Sequence, residues 1–197
     1  MAGCIILPAP CETPRDDSPT VQEAKNRHIV QNFIERVWNH SWTQDDDKKH
    51  VEERARGNQP YVPDGIAVAL RELRSPTSVR HRRDQDGRPI RSSGSDDYMT
   101  CVSAVHEVAQ DLRVTILDVV ADGRESVIAH LVLEGTDRRI DGRTDKQGAN
   151  GRSSPSGQRF RQSVTTFYRL RNGMIHADRL LYGGEVVYLD PPTAAKP

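Results

Sequence analysis

The segment FRQSVTTFYRLRNGMIHADRLLY, residues 160–182, decides the fold. It predicts two β-strands, 160–170 and 174–182, because both runs are rich in β-branched, aromatic and aliphatic residues. The Arg-Asn-Gly triplet at 171–173 between them is a typical hairpin turn. We therefore expect the chain to end in an antiparallel pair of strands.

A second hairpin is predicted upstream of this pair. Apolar and polar residues alternate from Leu112 to Ile116, Asp122-Gly123 supplies a turn, and an apolar run returns over 127–134. The two hairpins are separated by residues 137–158, which are almost all charged, Gly, Ser or Gln and indicate a long polar loop. Four consecutive strands in a meander are thus expected.

The first half of the chain has helical character instead. Thr20 with Glu23 forms a capping-box pattern ahead of apolar residues at helical spacing, and Thr43 with Asp46 repeats that start signal. We predict helices over 21–40, from Thr43 to about Arg56, after Asp64 and after Ser95, and a short extended run over 77–82. Helices followed by a meander predict an α+β fold in which a curved antiparallel sheet wraps around the N-terminal helices and encloses a pocket.

Composition limits the organisation to one domain. The chain has 197 residues, equal numbers of basic and acidic residues (28 each) and a hydrophobic fraction of 35%. We expect a flexible N-terminal tail over 1–19, the domain over 20–183 and a C-terminal tail over 184–197. The Arg-dense stretches 71–91 and 138–161 also contain Asp and are interpreted as solvated loops, so no nucleic-acid partner is predicted.

Three cysteines, Cys4, Cys11 and Cys101, fit neither a disulfide framework nor a zinc site. Neither a signal peptide nor a membrane span is predicted, which gives a cytoplasmic protein as the expectation. His106-Glu107 begins like a zinc-binding HExxH motif, but Gln110 stands where its second histidine is needed. Nucleotide-binding and GxSxG motifs are also missing, so no metal and no cofactor are expected.

Five sequence elements in order resemble the SnoaL-like polyketide cyclases of the nuclear transport factor 2-like superfamily. They are DLRVTILD at 111–118, VVADG at 119–123, the run 127–136 ending in Gly-Thr, SPSG at 154–157 and FYRLRNGMI at 167–175. The resemblance covers about 26–182. It implies a cone-shaped α+β barrel whose open end admits a small hydrophobic ligand, and commonly a homodimer formed through the outer sheet face.

The resemblance also orients the strands. Neighbouring residues on a strand point to opposite faces, and similarity to the superfamily turns His176, Asp178, Leu180 and Tyr182 into the cone. The sequence departs from the family here, because Ala177-Asp178-Arg179 replaces an acidic-His-aromatic triplet. By the same similarity, Val79 and His81 face inward and Arg80 and Arg82 outward.

Candidate catalytic residues are Asp178, His81 and His176, because a carboxylate near an imidazole in a low-dielectric cone can act as a general acid/base pair. The alternatives are that Asp178 pairs with an arginine on the sheet surface and that His81 is a satisfied core histidine. The candidate substrate-binding residues, some of which could equally be core, are Trp38, Tyr61, Tyr98, Gln162, Thr166, Tyr168 and Tyr182.

The leading functional hypothesis is a cofactor-independent cyclase or isomerase of a hydrophobic secondary metabolite, such as a polyketide or terpenoid. An alternative is a non-catalytic ligand-binding or dimerisation module of the same fold. Epoxide hydrolysis is a third possibility, but the positions that would hold and activate water in such enzymes correspond to Leu131 and Leu133, which are apolar.

Overall fold

The computed structural model describes residues 20–57, 61–83, 89–109, 111–122, 124–137 and 157–189. The predicted N-terminal tail, most of the polar loop 137–158 and the last part of the predicted C-terminal tail lie outside these residues. Cys4, Cys11, Gly123 of the predicted Asp122-Gly123 turn and most of the SPSG element at 154–157 also lie outside them.

The first helix supplies the element around which the sheet curves. α1 spans Val21–Phe33 and continues directly into a π-helical segment, Ile34–Trp38. The predicted capping box is confirmed, since Thr20 Oγ1 accepts from the backbone N–H of Glu23 and the Glu23 carboxylate accepts from the backbone N–H of Thr20. Its apolar side is fully buried: Val30, Phe33, Ile34 and Val37.

Three further helices follow α1, and the last two of them pack against the sheet. α2 spans Gln44–Ala55 and starts at a second capping box, formed by Thr43 and Asp46. α3 spans Asp64–Leu73 and buries one apolar face, and α4 spans Ser95–Val108. The buried face of α3 consists of Ile66, Ala69, Leu70 and Leu73.

The strands form one curved, unclosed sheet in the order β2-β1-β6-β5-β4-β3, and a short β7 pairs with β5. All pairs are antiparallel except β1 and β6, which run parallel. The strands are β1 (Arg74–Arg83), β2 (Pro89–Ser93), β3 (Arg113–Asp122), β4 (Ser126–Thr136), β5 (Arg159–Arg171), β6 (Met174–Gly183) and β7 (Val187–Tyr188).

The α+β fold and the four-strand meander are confirmed, with two additions to the sheet. The end of the Arg-dense stretch 71–91, interpreted as solvated loop, belongs to β2, which closes a hairpin with β1. The segment predicted as a C-terminal tail contains β7. Both strands are short: β2 is the five-residue edge strand next to β1, and β7 contributes two residues that pair with the start of β5. None of the described helices is long and apolar enough to cross a bilayer.

Candidate active site

Asp178 is a buried carboxylate on the concave face of the sheet. It lies on β6 directly opposite Tyr168 of β5, and the two residues are 4% and 3% exposed. Phe33 of α1 packs edge-on against the Tyr168 ring, with ring centroids 6.0 Å apart. The inward orientation of Asp178 expected from the resemblance is therefore correct.

Arg74, the first residue of β1, neutralises this carboxylate. Its Nη1 atom lies 2.7 Å from Asp178 Oδ1, and the Arg74 side chain is 1% exposed. The guanidinium carbon also lies 3.9 Å from the centroid of the Tyr98 ring. Burying a guanidinium is costly unless it is paired, and here a carboxylate and an aromatic face together offset that cost.

Arg80, six residues further along β1, approaches the same carboxylate from the solvent side. Its Nε atom lies 3.6 Å from Asp178 Oδ2, and its side chain is 24% exposed. Its guanidinium carbon lies 5.1 Å from the Tyr98 ring centroid, and its Nη1 atom contacts Cys101 Sγ. Arg80 thus connects the buried ion pair to the surface of the protein.

The charge state of Arg80 follows from these neighbours. Burial alone would lower the pKa of the guanidinium, but the electrostatic influence of Tyr98, Cys101 and Asp178 outweighs burial and raises the pKa above its ordinary value. Arg80 therefore carries its positive charge at neutral pH.

Two tyrosines complete the polar group. Burial raises the pKa of Tyr98 well above its ordinary value, and the nearby charge of Asp178 raises it further. Burial and Asp178 raise the pKa of Tyr168 in the same way, while Arg74 and Arg80 oppose part of both shifts. Both phenols therefore stay protonated at neutral pH and can donate a hydrogen bond from O–H.

The predicted orientation of β1 is wrong, because its side chains alternate in the opposite phase. Ser78 is buried and Arg80 reaches Asp178, whereas His81 is exposed and does not join the Asp178 group. The register between β1 and β6 shifts between Arg74 and Val79, where β1 holds additional residues around Pro76. One slip of this kind exchanges the two faces of a strand.

Two bulges in β6 explain why His176 and Tyr182 do not share the face of Asp178. In β6, Ile175 pairs with Leu170 and Ala177 pairs with Arg169, which leaves His176 as an extra residue between them. As a result Ile175 is buried and His176 is only half-buried. Leu181 is an extra residue at the second bulge, and Tyr182 therefore lies opposite Thr165 and is 62% exposed. The predicted inward positions of His176 and Tyr182 are corrected accordingly.

Three other candidate residues lie in or beside the concavity. Trp38 packs edge-on against Tyr98, with ring centroids 6.0 Å apart. Thr166 is half-buried opposite Leu180, and Gln162 donates from Nε2 to the carbonyl oxygen of Gly184 at 2.9 Å. Gln162 thus has a structural partner, whereas Trp38 contributes directly to the aromatic wall around Asp178.

Tyr61 is placed elsewhere. Its hydroxyl donates to Asp46 Oδ1 at 2.8 Å and its ring packs edge-on against Trp42. Burial and the Asp46 carboxylate raise the pKa of Tyr61 to about 12. Its contacts therefore attach the segment before α3 to the start of α2 and do not reach the Asp178 group.

Sequence reasoning missed the two arginines that hold the carboxylate. Arg80 was predicted to point outward, and the Arg-dense stretch from residue 71 was interpreted as solvated loop. The sequence contained one signal for Arg74. It directly follows Leu73, the last residue of the buried face of α3, so its side chain stands next to buried apolar residues. Among the described residues, no group of three His, Cys, Asp or Glu side chains is arranged to hold a metal ion.

The comparisons with known proteins identify the family of the chain. The family model for SnoaL-like polyketide cyclases matches residues 67–183, more than half of the chain, and the protein belongs to this family. None of the curated proteins matches the sequence significantly.

Solved structures share the fold at low sequence identity. A proposed SnoaL-like polyketide cyclase from Jannaschia sp. CCS1 aligns with a TM-score of 0.58 and 16% identity over 84% of this chain and 89% of that one. An NTF2-like protein from Anabaena variabilis aligns with a TM-score of 0.53 and 11% identity over 85% of this chain and 96% of that one. These similarities establish the fold of the chain.

Proposed function

We propose that the protein is a cofactor-independent cyclase or isomerase that transfers a proton within a hydrophobic secondary metabolite of the polyketide or terpenoid type. The observation that carries the proposal is the buried Asp178 carboxylate, held by Arg74 at 2.7 Å beside the phenols of Tyr98 and Tyr168. A carboxylate and neutral hydrogen-bond donors are the groups that enolisation of a carbonyl compound requires.

In the proposed reaction, Asp178 removes a proton from a carbon next to a carbonyl group. The electron pair of the broken C–H bond moves to the carbonyl oxygen, and the resulting enolate is stabilised by O–H donation from Tyr98 or Tyr168 and by the charge of Arg80. In a cyclisation the enolate carbon then attacks a second carbonyl carbon, and the oxygen of that carbonyl group takes the proton from Asp178. In an isomerisation the enolate takes the same proton back at another carbon. His81 and His176 take no part in this scheme.

An aromatic wall next to Asp178 would hold the substrate in a folded conformation, which is the second contribution to the rate. The half-buried Trp38 is the accessible part of that wall and packs edge-on against Tyr98, with ring centroids 6.0 Å apart. The fully buried Phe33 supports Tyr98 from the core, with ring centroids 5.6 Å apart. Holding two carbonyl groups close together converts a slow encounter into an intramolecular step. Epoxide opening is disfavoured, because Leu131 belongs to the hydrophobic core and Leu133 packs against it.

The test is Asp178→Asn, with Asp118→Asn on the exposed surface of β3 as the matched control. Enolisation is followed by NMR as incorporation of deuterium from D2O next to the carbonyl group of bicyclic and polycyclic ketones. The wild type and D118N should accelerate exchange. D178N is less stable because it leaves Arg74 buried without its counter-charge, so exchange is measured at a temperature at which D178N keeps the folded circular dichroism spectrum, and there it should lose the acceleration. Equal exchange rates for D178N and the wild type would remove Asp178 from the mechanism.

We also infer a homodimer, from a different observation. Apolar side chains are exposed on the outer face of the sheet, where Val120 of β3, Ile128 of β4 and Phe167 of β5 are successive cross-strand partners. Val120 is 56% and Ile128 42% exposed. A second copy of the chain would remove this apolar strip from water.

Ile128→Arg should then convert a dimer to a monomer in light scattering after gel filtration. Val21→Arg, at a 74% exposed apolar position on α1, is the control and should remain dimeric. A wild type that is monomeric at all concentrations would contradict the proposed dimer without affecting the assignment of Asp178. It would leave the exposed strip to be explained by another partner.

A further inference from the structure

The group of charges around Asp178 is not balanced. Two guanidinium groups, Arg74 and Arg80, face one carboxylate, and the two phenols that face the same space carry no charge at neutral pH. The site therefore has one positive charge more than it has negative charge. An uncompensated charge that is partly removed from water is costly unless a ligand of opposite charge binds there.

The two arginines differ in a way that assigns the surplus to Arg80. Arg74 is 1% exposed and lies 2.7 Å from Asp178 Oδ1, so its charge is used within the protein. Arg80 is 24% exposed, its Nε atom is 3.6 Å from Asp178 Oδ2, and its Nη1 atom contacts the thiol of Cys101. Of these two arginines, Arg80 has the charge that Asp178 compensates less completely. Arg80 is also the one that a molecule arriving from solvent can contact.

We propose that Arg80 is an anion-binding residue and that the substrate carries a carboxylate group on its hydrophobic skeleton. The inference rests on the proposed function, because it names the class of molecule that Asp178 acts on. One surplus guanidinium matches the single charge of a carboxylate and its planar geometry, whereas a phosphate group would bring about two negative charges. In this arrangement Arg80 lies between the substrate carboxylate and Asp178 and screens their repulsion.

Binding of two probes tests the proposal. They are 2-naphthoate and 2-naphthamide, which have the same size and shape and differ in charge. Titration calorimetry on the full chain should give naphthoate about tenfold tighter binding than naphthamide, and a higher salt concentration should weaken only the naphthoate. Equal affinity of the wild type for the two probes would overturn the proposal, as would naphthamide binding more tightly.

Variants then locate the charge that is responsible. Arg80→Gln should remove the preference for naphthoate, while Arg80→Lys should retain part of it because the charge remains. The control is Arg169→Gln, which removes a positive charge from a side chain that is 62% exposed and pairs with Glu125. A preference that survives R80Q, or disappears equally in R169Q, would contradict the role of Arg80.

The same experiment separates this inference from the function on which it rests. D178N should lose exchange activity but should bind naphthoate at least as tightly as the wild type, because a repelling carboxylate has been removed. If the wild type shows no preference for naphthoate while D178N loses activity, the proposal of a carboxylate substrate is wrong and the role of Asp178 stands. A clear preference together with full activity in D178N would overturn Asp178 as the base and leave Arg80 as the binding residue.

Discussion

Arg74 and Asp178 form an ion pair from which solvent is almost entirely excluded, with Nη1 and Oδ1 2.7 Å apart and side chains 1% and 5% exposed. The two residues belong to β1 and β6, the one parallel strand pair in the sheet order. The pair therefore joins the first half of the chain to β6 at the position where the proposed chemistry takes place.

Removing one partner of this pair should destabilise the protein strongly. We expect Arg74→Met to lower the free energy of unfolding by about 3 kcal/mol, because Asp178 would be left buried without its nearest counter-charge. Urea denaturation at neutral pH measures this change. Arg71→Met, at an exposed position on the preceding helix, should change the free energy by less than about 0.5 kcal/mol.

The double variant R74M/D178N should recover part of that loss, since it removes the isolated charge together with its partner. If R74M alone were as stable as the wild type, the ion pair would contribute nothing to folding. The position of Asp178 would then have to be fixed by packing against Tyr168 and the other core residues.

The phenol of Tyr98 should matter for turnover more than for stability. Tyr98→Phe keeps the ring that lies 3.9 Å from the Arg74 guanidinium and removes only the hydroxyl group that would stabilise an enolate. We expect kcat for ketone exchange to fall by about 100-fold and the melting temperature to change little. Tyr182→Phe, on the exposed outer face, should leave both quantities unchanged; a fully active Y98F would leave Tyr168 as the only phenolic donor.

The general architecture could be predicted because its signals are local. Thr20 and Thr43 each precede an acidic residue by three positions, and both capping boxes form as expected. The turn at Asn172 and Gly173 also forms, with φ angles of 53° and 74°, a backbone conformation that these two residue types tolerate best. Such features depend on residues a few positions apart and are therefore readable in one sequence.

The orientation of the site residues could not be predicted from the same information. Each bulge adds a residue to one strand only, and its position depends on what packs against that strand from elsewhere in the chain. The bulges at His176 and Leu181 and the register shift after Arg74 changed the faces assigned to His176, Tyr182 and His81. Asp178 kept its predicted face because it lies between the two bulges of its own strand.

The capping residue of α2 should make a measurable contribution to stability. Thr43 Oγ1 accepts from the backbone N–H of Asp46 and donates to the Asp46 carboxylate, which in turn accepts from the backbone N–H of Thr43. Thr43→Ala should cost about 1 kcal/mol in chemical denaturation, whereas Gln44→Ala, one position further and exposed, should be nearly neutral. Equal effects of the two substitutions would show that α2 is held by tertiary contacts alone.

His106 of α4 should make stability depend on pH. Its side chain is fully buried and stacks on Trp42, with ring centroids 4.9 Å apart and an interplanar angle of 24°. Burial, and to a smaller extent the charge of His40, lower the pKa of His106 to about 4. In the unfolded chain its pKa returns to about 6.5, so between these values the unfolded state binds more protons than the folded state.

The stabilisation associated with neutral His106 is therefore complete above about pH 6.5 and is lost as the pH falls toward 4. Between about pH 7.5 and pH 5 the wild type should lose about 2 kcal/mol of unfolding free energy through this residue. His106→Gln cannot gain the proton and should lose correspondingly less over the same interval, whereas His28→Gln, at an exposed position on α1, should follow the wild type. Denaturant titrations at both pH values measure the difference, and parallel curves for H106Q and the wild type would show that His106 is protonated equally in the folded and unfolded states.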